Sequence, residues 1–363
     1  MTSTFATETI NFSPIDSIAG YFSNSADKID RSEIGLYEGL KYLFCSHAVM
    51  TEKLSNIGNT TKSQSLIKEV SDAIASVAYE DMASAFAAWC HRMVIEYVYQ
   101  SETSNSHLKQ LLSDLKQCSI FGSTAMGPGT ANFLTGTEIP IRVERENDEF
   151  TANGIIRWAS NLTGKFVIVT AVKEMSSDNT YIVTIPGNSQ ELHINDFTKL
   201  LGLDQTFSTS MSVTDLKIPN ENIVTQDFSN FMRSIIVPFL ILQSSFCKGL
   251  AARSLHESLN MISGPKTVFE DELQKNIIEF NQLSDELEIE TSTNLASDDE
   301  IRRLLKARLN FALLASSSVN LEYKLCGGAA YSISSPVSRR LREAAFLPIQ
   351  APTEVQLRWI LSQ

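Results

Sequence analysis

The chain has 363 residues, 43% apolar and 20% charged, with a net charge of −12. That is enough apolar material for a large core of two or three packed regions, and the acidic balance disfavours nonspecific binding to nucleic acid or to an anionic membrane. The longest solid apolar run, Ile235 to Leu242, falls far short of the ~20 residues of a membrane span, and MTSTFATETINF at the start lacks the basic and apolar stretches of a secretory signal.

Residues 1–118 read as helices. Ile29 to His47 has mixed helical spacing, and Leu66 to Ala78 repeats at i, i+3 and i+4. Asp81 to Tyr99 is alanine-rich and apolar nearly all round, as a buried helix is. His91 inside it has no acidic residue one turn away, so it reads as a packed histidine rather than a catalytic one, and His47 likewise.

The period changes after Cys118. Phe121 to Thr130 is a glycine-rich loop, and Ile139, Ile141 and Val143 then alternate with Pro140, Arg142 and Glu144 as a strand. Glu146 to Glu149 predicts a hairpin turn. Further strands are expected at Phe150–Trp158, Phe166–Val172, Tyr181–Ile185, Thr206–Val213 and Leu216–Ile218. Short strands with no long helix between them predict a small antiparallel barrel or sandwich over 119–226.

Residues 227–363 return to helix. Met232 to Met261 is one long helix with Pro238 in its first turns, ended by Gly264-Pro265. Val268 to Ile289 follows, with an acidic end at Asp285, Glu286, Glu288 and Glu290. Asp298, Asp299 and Glu300 then open a helix over Ile301 to Leu325. Its apolar face carries Ile301, Leu304, Leu305, Ala307, Leu309, Ala312, Ala315 and Val319. Segments 101–106 and 290–297 are polar linkers. Gly327-Gly328 stops that helix, Pro336 starts a short one whose Arg339, Arg340 and Arg342 form a basic face, and Thr353 caps the last. A helix N-terminus beside arginines is a place for an anionic group. Five scattered cysteines suit reduced thiols in a cytoplasmic protein, and no Cys/His pair has metal-site spacing.

Gly327, Gly328, Pro336, Val337, Arg342, Ala344, Thr353 and Arg358 match, without gaps, the C-terminal segment of the acyl-CoA dehydrogenase superfamily, which the chain resembles over nearly its whole length. The resemblance implies an α+β fold: an N-terminal all-α domain, a central small antiparallel β-barrel or sandwich, and a C-terminal four-helix bundle. It implies FAD, with FMN as the alternative. Thr124, Met126 and Gly127 fall on the flavin-cradling loop, and Gly154 to Asn161 resembles the family's Gly-x-Lys-x-Trp-Ile-Thr-Asn. Trp158 would pack against the flavin and the Ser160 hydroxyl would reach the ring's reactive nitrogen. Thr206 to Val224 resembles the end of the family's β domain. Where the family has an arginine that crosses a subunit interface to the pyrophosphate, this chain has Pro265, with Lys266 beside it, and the glutamine before Gly327-Gly328 is replaced by Lys324.

The catalytic glutamate of the family falls on Ala351, or on Gln350 if the register slips by one, and neither takes a proton. Phe231 to Leu242, the other place for a base, has no Asp or Glu, and Glu354 is the nearest carboxylate. Three readings follow. The first is a flavin-dependent oxidoreductase acting on a CoA or carrier-protein thioester with a non-standard or absent base. The second is a flavin-dependent monooxygenase of the same fold, and the third a catalytically degenerate scaffold or binding protein. The resemblance also implies a homodimer or homotetramer, and an electron-transfer partner or flavin reductase.

Overall fold

A computed structural model of the chain describes residues 8–54, 60–101, 105–288 and 296–363. Six helices come first: α1 (Asp16–Ser23), α2 (Ala26–Asp30), α3 (Tyr37–Ser46), α4 (Thr60–Glu80), α5 (Met82–Tyr99) and α6 (Ser106–Lys116). Asp81 sets the start of α5, its carboxylate accepting from the Ala83 amide and the Ser84 hydroxyl. Every residue of α5 from Met82 to Val98 is buried, which explains its lack of a polar face.

Strand β1 (Phe121–Ala125) and helix α7 (Gly127–Thr135) come next, so the stretch expected as a glycine-rich loop is a strand and a helix joined at Met126. Pro128 sits in the first turn of α7, where its missing N–H costs nothing. The remaining strands are β2 (Arg142–Glu146), β3 (Glu149–Ala159), β4 (Phe166–Glu174), β5 (Thr180–Pro186), β6 (Leu192–Ile194), β7 (Thr209–Pro219) and β8 (Ile223–Thr225). The two strands expected between Thr206 and Ile218 are thus one.

The sheet runs β6-β7-β3-β2-β4-β5-β8, with β1 also paired to β4. It is mixed: β1 and β2 both lie parallel to β4, and the other pairs are antiparallel. Helix α7 between β1 and β2 accounts for this, because a chain that leaves a strand through a helix returns without the reversal a hairpin imposes. One face of the sheet closes over its own core, which includes Val143, Phe150, Ile168, Val183 and Met211. Val167, Val169 and Ile182 join the helical core instead.

The last part is helical: α8 (Phe228–Met261), α9 (Glu270–Glu288), α10 (Asp298–Cys326), α11 (Pro336–Ala344) and α12 (Glu354–Ser362). Helix α8 begins a turn earlier than expected, which leaves Pro238 well inside it. By length and composition alone α8 is apolar enough to cross a membrane, with mean hydropathy 1.7 over its best window, yet 94% of that window is buried in the protein. Its hydropathy is that of a central core helix, packed against α4 and α10. The α4–α8 contact depends on Gly249, where a Cβ would sit 2.1 Å from the Ala75 carbonyl oxygen. Of the acidic residues expected at the end of α9, Glu290 lies outside the described residues, as does most of the 290–297 linker; 102–104 of the other linker are outside as well.

Candidate active-site cleft

A cleft of about 400 Å³ opens between the sheet, α5, α8 and the segment that joins α11 to α12. That is within the roughly 300–1,000 Å³ of small-molecule sites. Its walls are aromatic. Phe86 and Trp89 of α5 stack at 5.7 Å, Trp89 meets Phe239 of α8 edge-on at 5.1 Å, and Phe86 meets Phe346 at 4.7 Å. The Trp89 Nε1–H donates to the Phe239 carbonyl, which holds the indole in place.

Strand β3 supplies the rim. At Gly154 the backbone has φ +152°, and a Cβ there would come within 2.4 Å of the Pro140 carbonyl oxygen. The β3–β7 register shifts at this point and again between Ile156 and Ala159. The second irregularity frees Trp158 from the ladder, and its ring lines the cleft while 61% exposed. Beside it, the Ser160 hydroxyl lies 2.7 Å from Ser208, and Ser208 lies 2.7 Å from Thr206. The Thr206 hydroxyl donates to the Leu203 carbonyl, so the chain of hydroxyls runs from Ser160 through Ser208 and Thr206 to Leu203. That direction makes Ser160 Oγ an acceptor toward the cleft.

Of the residues singled out in the sequence, the cleft brings together Thr124, Gly127, Trp158, Ser160, Gln350 and Ala351. Thr124 is held 3.3 Å from the Tyr97 hydroxyl, and a Cβ on Gly127 would lie 3.6 Å from that of Ala351. Met126 is buried at the β1–α7 junction and does not line the cleft. Neither do Lys266, Lys324, Gly327, Gly328 and Thr353. Lys266 lies in a 3₁₀ turn before α9, Lys324 pairs with Glu272 at 2.9 Å, and Gly327 ends α10 with φ +69°. Thr353 caps α12 in a reciprocal capping box with Gln356.

One expectation is corrected. The arginines of α11 do not form a free basic face. Arg339 and Arg340 are buried, pairing with Asp27 and Glu343 and with Glu322 respectively, while Arg342 makes a bidentate pair with Asp30 at 2.6 and 2.7 Å. Their charge is spent on carboxylates, two of which lie 312 residues away in sequence. Glu354 pairs with Arg358 one turn along α12 at 2.8 Å and is absent from the cleft lining.

No Asp or Glu lines the cleft among the described residues. Its titratable members are Cys90, whose thiol burial pushes far above the ordinary range, and Arg342. His91 lies behind the wall and is not in the lining. It accepts from the Gly122 amide at Nδ1 (2.9 Å) and donates from Nε2 to the Leu115 carbonyl, and burial pushes it down to about 3, so it is a neutral structural group.

The sequence reading missed the aromatic wall, the Leu200–Leu203 segment that closes one side, and a buried trio behind Ala351. In that trio Arg308 donates to the side-chain oxygens of Gln243 (3.2 Å) and Gln350 (2.7 Å) and to the Leu347 carbonyl (3.3 Å), and Gln243 donates to the Ala351 carbonyl. A signal was there, since Arg308 falls on the apolar stripe of α10 one turn after Leu304.

No protein-family model and no curated protein matches this chain. Solved structures do. Glutaryl-coenzyme A dehydrogenase in its glutaryl-CoA complex is similar with TM-score 0.80 at 14% identity, over 96% of this chain and 92% of that one. Butyryl-CoA dehydrogenase from Megasphaera elsdenii gives 0.77 at 14%, over 97% and 98%. Dibenzothiophene monooxygenase from a Paenibacillus species gives 0.70 at 15%, over 95% and 94%. At such identities the likeness establishes the fold, and the chain has the acyl-CoA dehydrogenase-like fold.

Proposed function

We propose that this protein is a flavin-dependent oxidoreductase whose cleft holds the isoalloxazine ring against Trp158, and that its reaction draws on no protein carboxylate. The absence of Asp and Glu from the lining carries this reading. When bound, the flavin supplies hydride or oxygen chemistry of its own. The lining suits such a ring: Trp158 offers a flat apolar face, and Ser160 Oγ and the Thr124 hydroxyl lie at its edge. Aromatic packing holds the walls in place and excludes water.

Removing an α-proton beside a thioester needs a positioned base worth ~10²–10⁴-fold. Among the described residues the cleft provides none, which favours the monooxygenase-type reaction, with a flavin reductase as partner. Acyl-thioester dehydrogenation is the second reading. It rests on the resemblance of Thr353, Arg358 and the last helix to the dehydrogenase pattern, and with it goes an electron-transferring partner.

The lining fits the ring better than the phosphates, because its one cation, Arg342, is committed to Asp30. Lys266, Lys324 and Gly327 stand outside the cleft, in the same helical part as Val268, Tyr331, Ile333, Val355 and Trp359, which are all more than half exposed. A homodimer or homotetramer that covers these side chains would bring Lys266 to a neighbour's phosphate, giving FAD rather than FMN. Five unpaired cysteines suit a reducing, cytoplasmic setting.

The test is the absorption spectrum of the purified protein and the identity of any flavin released on denaturation. A flavin band that Trp158→Ala and Ser160→Ala shift or weaken at least tenfold in affinity supports the proposal. A protein that neither carries nor takes up FAD or FMN sinks it.

A further inference from the structure

Four arginines are buried among the described residues: Arg92, Arg308, Arg339 and Arg340. Three have a carboxylate: Arg92 has Glu96, Arg339 has Asp27 and Glu343, and Arg340 has Glu322. Arg308, with no exposed surface, is within ion-pair distance of no described carboxylate. Its guanidinium meets only neutral acceptors, the amide oxygens of Gln243 and Gln350 and the Leu347 carbonyl, and the ring of Phe246 at 5.9 Å. Nη1 is buried without a partner. An unpaired buried charge of this kind is costly unless something offsets it.

The geometry fixes the chemistry of the neighbouring amide. Arginine has only donors, so the atom of Gln350 that faces Arg308 at 2.7 Å is the oxygen. The amide NH₂ of Gln350 must then point the other way. It finds no acceptor among the described residues, although Gln350 is 5% exposed and lines the cleft. Gln243 obeys the same logic, giving its oxygen to Arg308 and its NH₂ to the Ala351 carbonyl. Two amides are thus oriented by one guanidinium, and one of them offers a fixed donor, backed by positive charge, to an aromatic-walled cleft.

We propose that Gln350 is a hydrogen-bond donor to an oxyanion on the ligand, a deprotonated hydroxyl or enolate oxygen on a planar apolar body, with Arg308 and Gln243 as positioning residues. The cleft therefore selects the ionised form of such a ligand. This rests on side chains of the cleft and not on the flavin.

The probe is 4-nitrophenol, whose ionisation is read directly from its visible difference spectrum, with flavin content taken from the same sample before the probe is added. That keeps a missing flavin band, which bears on the proposed function, apart from the result here. In the unaltered protein the bound probe should ionise at lower pH than in Gln350→Leu or Arg308→Met, by roughly one unit or more. Gln350→Glu should raise the ionisation pH as well, because its carboxylate cancels the arginine, and Arg308→Lys should keep most of the effect. Equal ionisation in the unaltered protein and both Gln350 variants overturns the proposal, and so does failure of the unaltered protein to bind the probe. If Arg308→Met does not fold by circular dichroism, the two Gln350 variants decide.

Discussion

Glu343 offers a prediction with a definite sign. It sits on α11 next to Arg342 and is 2% exposed, with one oxygen 3.3 Å from Arg339 Nη1 and the other buried without a hydrogen bond. Burial is the main reason its carboxyl is raised from 4.5 to about 7, with Asp81 and Asp30 pushing the same way and Arg339 and Arg340 opposing. The folded state therefore binds this proton more tightly than the unfolded state. The stability it contributes is complete below pH 4.5 and is lost as pH rises through about 7. At about 1.4 kcal/mol per pKa unit the loss is about 3 kcal/mol. Glutamine has no such proton, so Glu343→Gln removes that slope. Urea denaturation of both proteins at pH 5 and pH 8 should show the variant gaining up to about 3 kcal/mol on the unaltered protein between the two. A difference that does not change with pH, or that moves the other way, would mean that Glu343 is held ionised by Arg339 and would refute the reasoning.

Three further outcomes are expected. Gly249→Ala should cost at least about 1–3 kcal/mol, because the new Cβ has no room 2.1 Å from the Ala75 carbonyl oxygen; an unchanged melting temperature would show that α4 and α8 separate freely. Glu322→Gln breaks the buried pair with Arg340 and should cost about 3–5 kcal/mol in a denaturant titration. Glu354→Gln, which removes the half-buried partner of Arg358, should leave any flavin-linked turnover within about twofold, whereas a loss of ~10²–10⁴ would identify Glu354 as the base.

Much of the frame was legible because it follows from local pattern. The apolar run of α5, the alternation entering β2 and the capping residue Thr353 all act within a few residues of themselves. What escaped depends on distance. Arg339 and Arg342 read as a basic stripe because Asp27 and Asp30, which neutralise them, lie 312 positions earlier. The parallel pairing of β1 with β4 joins segments some forty residues apart and leaves no mark on either. The cleft was half visible: Trp158 and Ser160 stood out by motif, whereas Phe86, Trp89 and Phe239 looked like ordinary core aromatics. Ring residues of a core and of a cleft share one composition, and only the third dimension separates them.

Gln350 and Arg308 together bear on the absence of a carboxylate from the cleft lining among the described residues. A glutamate in place of Gln350 would meet the guanidinium where the amide oxygen now lies, at 2.7 Å. An opposite charge that close holds a carboxylate ionised and lowers its affinity for a proton, commonly by one to three pKa units. Such a group is a poor base, since proton transfer at neutral pH favours an acceptor poised near the working pH. The arginine on the apolar stripe of α10 and the absence of a carboxylate from the cleft lining, among the described residues, are therefore mutually consistent. With Arg308 in place, the position is better suited to donating a hydrogen bond than to taking a proton.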